Sequence, residues 1–425
     1  MRRLLRSTVA RNALALYGIQ AAQYILPWFT YPYLTRVLHP ANWGRIIIAQ
    51  AFIQFFVVIT EYGFNLTATQ AVAIHRDDIP RLSRILTSVT AAKTLLMLAS
   101  LAAMLAIVWS VPSLRGELPL FAITFLSVVG NVLFPVWLFQ GLEQMQFITF
   151  REILARLLGL LPTFLLVRHE SDILWAAAVQ SGSVAFAGLI GLFSLPRVTK
   201  ARFVRVTPGE VLDTFRDGWH VFLSTAAITI YTRGNTFILG LIAPPAAAGF
   251  YGSAQRLVDS AKALVFPLST AIFPHVTRMA HEDPPAAFAF LRRHTARLML
   301  PFVGLSLVLL AGAPVLIHIL NGSQYRPAVP LLMIMSPIPA IVAAGTVYAT
   351  YYMLGLGYKK QWSNLIIQAG AVNFLVLIPL IFVMKPEFAM SITAVATELY
   401  VLLGAWRFYW KTHRGGALAP SPQSS

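Results

Sequence analysis

The sequence predicts an all-α polytopic membrane protein, with about 12 transmembrane helices in two six-helix bundles around a central cavity. Three observations predict it. Of 425 residues, 57% are hydrophobic and only 12% charged, with a mean hydropathy of +0.68; a soluble domain carries roughly 25% charged residues. Apolar runs of about 20 residues recur along the whole length, each long enough to cross a bilayer as a helix. The runs do not alternate polar and apolar residues as barrel strands do, so the backbone must close its hydrogen bonds within helices.

In chain order the predicted spans are 13–35, 46–70, 87–110, 118–139, 147–167, 173–195, 219–243, 249–275, 298–320, 328–354, 362–384 and 388–410. The chain opens Met1-Arg-Arg-Leu-Leu-Arg6, like the charged start of a signal peptide. The apolar stretch behind it is long and lacks an Ala-x-Ala cleavage site, so it reads as a retained first helix. The spans 46–70 and 249–275 carry internal polar residues. Proline punctuates many others, Pro135, Pro162, Pro301 and Pro314 among them. In lipid such prolines kink helices, either as packing adjustments or as hinges. Most aromatic residues suit interfacial belts or the core, and some could stack on sugar faces.

Lys and Arg gather in alternate connections, which sets orientation. The N-terminus, the even-numbered connections and the tail hold 23 of the 33. The odd-numbered connections hold six: Arg36, Arg45, Arg115, Arg168, Arg326 and Lys385. Both termini are therefore expected in the cytoplasm. The net charge of +17 follows from this bias, so nucleic acid is not an expected partner. The longest connection, 196–218, separates a bundle over 1–195 from one over 219–410, with a cytoplasmic tail at 411–425. The halves share a faint echo: Pro40, Gly44, Ala49 and Gln50 recur as Pro245, Gly249, Ala254 and Gln255 at the same topological position. Two parallel-repeated bundles with a path between them form a transporter plan.

Charges inside the spans point to the cargo. In ITIYTRGNTFILG, residues 228–240, Arg233 falls near the centre of a span, where a charge costs at least ~2.5–3.5 kcal/mol unless a cavity, partner or ligand receives it. Arg256, Asp259 and Lys262 recur every third residue and share one helix face. Asp259 neutralises one cation at a time, so with Arg233 a net positive surface remains. Two readings compete: the charges are paired or snorkel to an interface, or they line a cationic lumen that attracts an anion. Arg36 and Lys93 would extend that surface from the first half. Glu61, in TEYGFN, and Glu398, in ATELYVLL without an obvious local partner, are the remaining intramembrane acids. With Asp259 they are candidates for ion coupling, against a static salt bridge for Glu61 to Lys93 or Arg36.

Enzyme chemistry has no visible seat. Cysteine is absent, no G-x-x-x-x-G-K-[ST] loop appears, and the nine histidines are scattered without metal-ligand spacing. No cofactor, metal or catalytic residue is expected.

The segment FPVWLFQGLEQM, residues 134–145, resembles the Pro-x-Trp-Leu-Phe-Gln-Gly-x-Glu segment of Wzx-type polysaccharide and O-antigen flippases. These belong to the multidrug/oligosaccharidyl-lipid/polysaccharide exporter superfamily. YPYLTRVLHPANWG is similar to the family's first-loop pattern, GFYGSAQRLVDS to its counterpart in the second half, TEYGFN to a segment late in the second helix, and FRDGWHVFLS to the entry of the seventh. His39 stands where the first loop often carries glycine. The resemblance implies a flippase for undecaprenyl-pyrophosphate-linked oligosaccharide in the bacterial inner membrane. Arg233, Arg256 and Lys262 would hold pyrophosphate and glycan, while the polyprenyl tail stays in membrane lipid. Glu61, Asp259 or Glu398 would carry a coupling ion. A polysaccharide polymerase and a chain-length regulator are the implied protein partners.

Three rival readings remain open at this point. A multidrug exporter of the same superfamily should have a lumen favouring acids, because many of its substrates are cationic. A lipid II flippase typically has more spans than 425 residues hold. A scaffold for a polymer-assembly complex would use the basic loops, which orientation bias already explains.

Overall fold

The structure of the protein is a computed structural model that describes residues 27–414, with some side chains inside that range left undescribed. Every predicted span coincides with helix among these residues, the first from Pro27 onward, and no strand occurs among them. The arginines at positions 2 to 11, residues 13–26 of the first span and the last eleven residues of the tail lie outside the described residues.

The first helix, α1 (Pro27–Glu61), joins the first two predicted spans across a break at His39, where φ is 62° and ψ is 165°. A residue before proline is driven out of the α region, and Pro40 follows. The backbone region His39 adopts is one that glycine alone enters freely. The chain breaks again at Tyr62 and Gly63, with φ of 45° and 79°, before α2 (Phe64–Ile74). A Cβ on Gly63 would lie 2.7 Å from Val221 Cβ. The break thus lets α2 press on a later helix, where Tyr62 stacks on Phe222 at 4.6 Å.

Helix α3 (Ile79–Ser110) starts under Asp78, whose carboxylate accepts the Arg81 N–H at 3.0 Å. A short turn, α4 (Pro112–Arg115), follows. The fourth span divides at Phe125 into α5 (Leu118–Thr124) and α6 (Leu126–Leu133), and again at Pro135 before α7 (Val136–Gly141). Helices α8 (Met145–Leu166) and α9 (Ile173–Phe193) complete the first six spans, and α10 (Leu195–Val198) is a single turn. A Cβ on Gly188 of α9 would meet the Gly130 carbonyl of α6 at 2.3 Å, the close backbone approach that small residues allow in membranes. Asp172 precedes α9 and accepts the N–H groups of Arg168 and His169, both at 2.9 Å. These bonds hold its carboxyl below the usual carboxylate range.

Helix α11 (Pro208–Ile242) begins well before the predicted 219. A reciprocal cap explains the early start: Glu210 Oε2 accepts the Thr207 N–H at 2.8 Å and Thr207 Oγ1 accepts the Glu210 N–H at 3.3 Å. The eighth span is two helices, α12 (Pro245–Ala263) and α13 (Val265–Glu282). Then come α14 (Pro284–Asn321), α15 (Ala328–Met335), α16 (Ile338–Gly345), a π-helical stretch over Thr346–Leu354, α17 (Lys359–Val383) and α18 (Pro386–Arg414).

Eight helical stretches among the described residues are long and apolar enough to cross a membrane by length and composition. Helix α8 is not among them because Arg151, Glu152 and Arg156 crowd its first half. By contact the chain forms two units, Met1–Phe237 and Ile238–Ser425. The first buries Phe64, Leu82, Trp137 and Phe139 in its core, and the second Leu291, Tyr351, Tyr352 and Ala405. The protein is an all-α, multi-pass membrane protein.

Candidate functional site

The first unit buries a group of charges. Lys93, in the middle of α3, is 3% exposed, and its Nζ donates to the Asn131 carbonyl at 3.2 Å. Arg151 of α8 is 7% exposed; its Nη2 donates to Asn131 Oδ1 at 2.8 Å and its Nη1 to Glu152. The guanidinium carbon lies 5.3 Å from the centroid of the Phe134 ring, a cation–π distance. Glu61, at the end of α1, lies within electrostatic reach of both Lys93 and Arg151, with Asn65 beside it. Two cations thus face two carboxylates across one asparagine. The two cations are the buried members of the set: Arg151 is paired with Glu152, and Lys93 is bonded to the Asn131 carbonyl.

The sequence reading weighs a static salt bridge from Glu61 to Lys93 or Arg36 against ion coupling; Lys93 lies within electrostatic reach of Glu61, and its Nζ donates to the Asn131 carbonyl. The structure also adds Arg151 and Asn131, which that reading missed. Arg151 lies near the start of the predicted span 147–167, and since α8 begins at Met145 it stands about two turns inside the helix. The available signal was the neighbouring Glu152, an acid with no topological reason to sit there. Arg36, one turn before His39, is exposed and stands apart from this buried group.

The second unit holds the other charges. Lys262 Nζ lies 3.0 Å from Glu398 Oε1 and 3.9 Å from Asp259 Oδ1, each side chain about a third to a half exposed. Glu398, without an obvious local partner in the sequence, finds a distant one in Lys262 through the packing of α12 on α18. Arg256, one turn before Asp259, is exposed. Arg256, Lys262, Asp259 and Glu398 carry two positive and two negative charges, so Glu398 offsets the single positive charge that the α12 triad carries in excess. Arg233 lies within α11, and its side chain is outside the described set. Close by, Asn235 and Thr236 are buried and Phe237 stacks on Phe52 at 4.7 Å.

The tryptophan–glutamine segment has a packing role. Trp137 and Phe139 are fully buried, and Phe134, Phe139 and Phe147 stack in series at 4.8 and 5.5 Å. Thr69 of α2 donates to the Trp137 carbonyl at 3.1 Å, and a Cβ on Gly141 would strike Val72 at 2.5 Å. The segment locks α7 onto α2 and supplies Phe134 as the surface beneath Arg151. No group of acids and histidines suited to a metal occurs among the described residues.

Comparison with known proteins agrees with this architecture. A family model described as "Polysaccharide biosynthesis protein" matches residues 9–280. A relative from Escherichia coli (strain K12), named "Putative O-antigen transporter", is 34% identical over 394 residues, covering 93% of this chain and 95% of the relative. A relative of the same name from Shigella dysenteriae is 26% identical over 393 residues, covering 92% and 98%. Among solved structures, an inward-facing multidrug resistance MATE family transporter of the MOP superfamily gives a TM-score of 0.72 at 12% identity, over 93% of this chain and 95% of that one. The lipid II flippase MurJ in an inward closed conformation gives 0.68 at 12% identity, over 92% and 87%. At such identities the structural likeness shows the fold alone. The sequence matches show more: the chain belongs to the polysaccharide biosynthesis protein family, in the Wzx-type branch that its tryptophan–glutamine segment resembles.

Proposed function

We propose that the protein is a flippase that moves undecaprenyl-pyrophosphate-linked oligosaccharide from the inner to the outer leaflet for cell-surface polysaccharide synthesis. The observation that carries this reading is the 34% identity, across 93% of the chain, to a relative named for O-antigen transport. Physical chemistry supports it. A diphosphate headgroup cannot cross hydrocarbon unaided, and arginine holds phosphate oxygens bidentately. In this proposal the two halves, 1–195 and 219–410, rock about a lumen opened to each side in turn, joined through the 196–218 connection. Arg233, Arg256 and Arg36 contact the anionic headgroup and the proximal sugars. Lys262 and Lys93 enter the same surface when their carboxylate partners are protonated or bind a cation. Glu61, Asp259 and Glu398 are then the coupling groups, because each sits against a lysine whose charge it otherwise cancels. The protein resides in the bacterial inner membrane with both termini cytoplasmic, near a polymerase and a chain-length regulator.

The test is genetic and chemical. In a deletion strain without a redundant flippase, cytoplasm-facing lipid-linked oligosaccharide should accumulate, and wild type should clear it. Arg233→Ala at matched membrane expression should not. Clearance by Arg233→Ala would make that arginine structural. If nothing lipid-linked accumulates, the substrate assignment fails and drug export is the next measurement.

A further inference from the structure

Between α8 and α9, near their α7 and α10 ends, lies a cavity of about 620 Å³, within the range of single-ligand sites. Phe147, Phe150, Leu154 and Ile190 form its apolar walls, and Arg151 and Arg197 are its cations. Nothing in the flipping reaction proposed above uses it. Two features show what it would hold. The walls suit a hydrocarbon chain. The Arg151 Nε–H is buried and has no acceptor among the described residues, although the other end of the same guanidinium is bonded to Asn131 and Glu152. A buried unmet donor is costly, and because Arg151 lines the cavity, a negative charge there offsets that cost electrostatically. Arg197, exposed beside it, opens the basic connection that continues through Lys200, Arg202 and Arg205. Basic pockets between membrane helices on the cytoplasmic side hold anionic lipid headgroups.

We infer that this cavity is a binding site for an anionic phospholipid of the inner leaflet, with one acyl chain against Phe147, Phe150 and Leu154 and the phosphate at Arg151 and Arg197. A phospholipid is taken as the occupant because one acyl chain suits a cavity of about 620 Å³, with the second chain left in the bilayer, and Arg197 with the basic connection behind it supplies cations for an anionic headgroup. The headgroup would sit one residue from the Asn131 that also receives Lys93. Bound lipid therefore adds a negative charge beside the buried set and is placed to bias it.

The experiment uses delipidated full-length protein and native mass spectrometry, with phosphatidylglycerol and phosphatidylcholine of identical chains offered in equal amounts. Wild type should retain phosphatidylglycerol preferentially. Arg197→Ala should cut that preference about fivefold, the worth of one cation near an anionic headgroup. Leu154→Trp, which fills the trough, should reduce retention of both lipids. Arg151→Lys keeps the charge but removes the Nε–H, and should also lower the preference. Elution position and far-UV circular dichroism confirm that each variant is folded, and Arg197, being exposed, leaves the packing intact when replaced. Equal retention of the two lipids by wild type overturns the inference, as does a preference unchanged in folded Arg197→Ala and Leu154→Trp. Displacement of phosphatidylglycerol from wild type by equimolar undecaprenyl phosphate, with none from Leu154→Trp, overturns it too, by making the cargo tail the occupant.

Discussion

Lys93 and Arg151 reach the same asparagine from two helices, one through its backbone carbonyl and one through its side-chain oxygen. Removing Lys93 leaves the half-buried Glu61 without the cation that most favours its charge. Lys93→Met should therefore destabilise the protein by about 1–3 kcal/mol, read as a lower unfolding temperature in detergent. Glu61→Gln added to it should recover part of that loss, and strict additivity of the two changes would break the proposed coupling. Lys262 is a different case because it is about a third exposed. Glu398→Gln should cost only about 1 kcal/mol or less. Its larger effect should be on transport, as an altered dependence of flipping on the ion gradient at matched expression. Residue types were legible in the sequence, since an ionised group inside an apolar run stands out. Their partners were not. Glu398 lies 136 residues from Lys262, and local sequence offers no sign of it.

At the scale of the element, the breaks matter more than the helices. His39 holds φ 62° and ψ 165° between two helical segments. Replacing it with glycine should relieve the strain and raise stability by about 1 kcal/mol, after the entropy glycine loses on folding is set against it. Thermal unfolding of His39→Gly checks this, and a lower midpoint would mean that the His39 side chain contributes more than the strain costs. The α9 start responds to pH. Asp172 has a lowered folded pKa, so its contribution is full above the ordinary carboxylate pKa and is lost as pH falls through the lowered value. Amide protection at the start of α9 should therefore fall in acid, and Asp172→Asn should remove that dependence. The sequence showed where the prolines were. It did not show that the fourth and eighth spans would each divide, nor the π-helical turn at Thr346–Leu354.

For the whole molecule, the prediction that matters most is transport. Arg233→Ala should leave membrane insertion intact and abolish clearance of the lipid-linked oligosaccharide, measured as cytoplasm-facing glycolipid in the deletion strain. The resemblance read from residues 134–145 extends over nearly the full chain in the relatives, at 93% coverage. Those same residues turn out to be core: Trp137 and Phe139 are fully buried. The family is thus readable from a packing segment, while the cations proposed to meet the cargo lie in other helices.

The sequence alone determined the class, the helix order and the positions of the charges. Hydropathy acts over the length of one span, and lipid leaves the backbone no alternative to the helix. Cap residues and prolines act over a single turn, so their effects were also local. Only the tertiary structure decided which charges meet. It brought Glu398 to Lys262 across 136 residues, and it set Arg151 of α8 on the same asparagine as Lys93 of α3. Such pairings depend on which helices pack side by side; elsewhere in the first unit the close approaches of Gly188 to Gly130 and of Gly218 to Tyr62 fix other neighbours in the same way. A residue's neighbours along the chain carry no record of that choice.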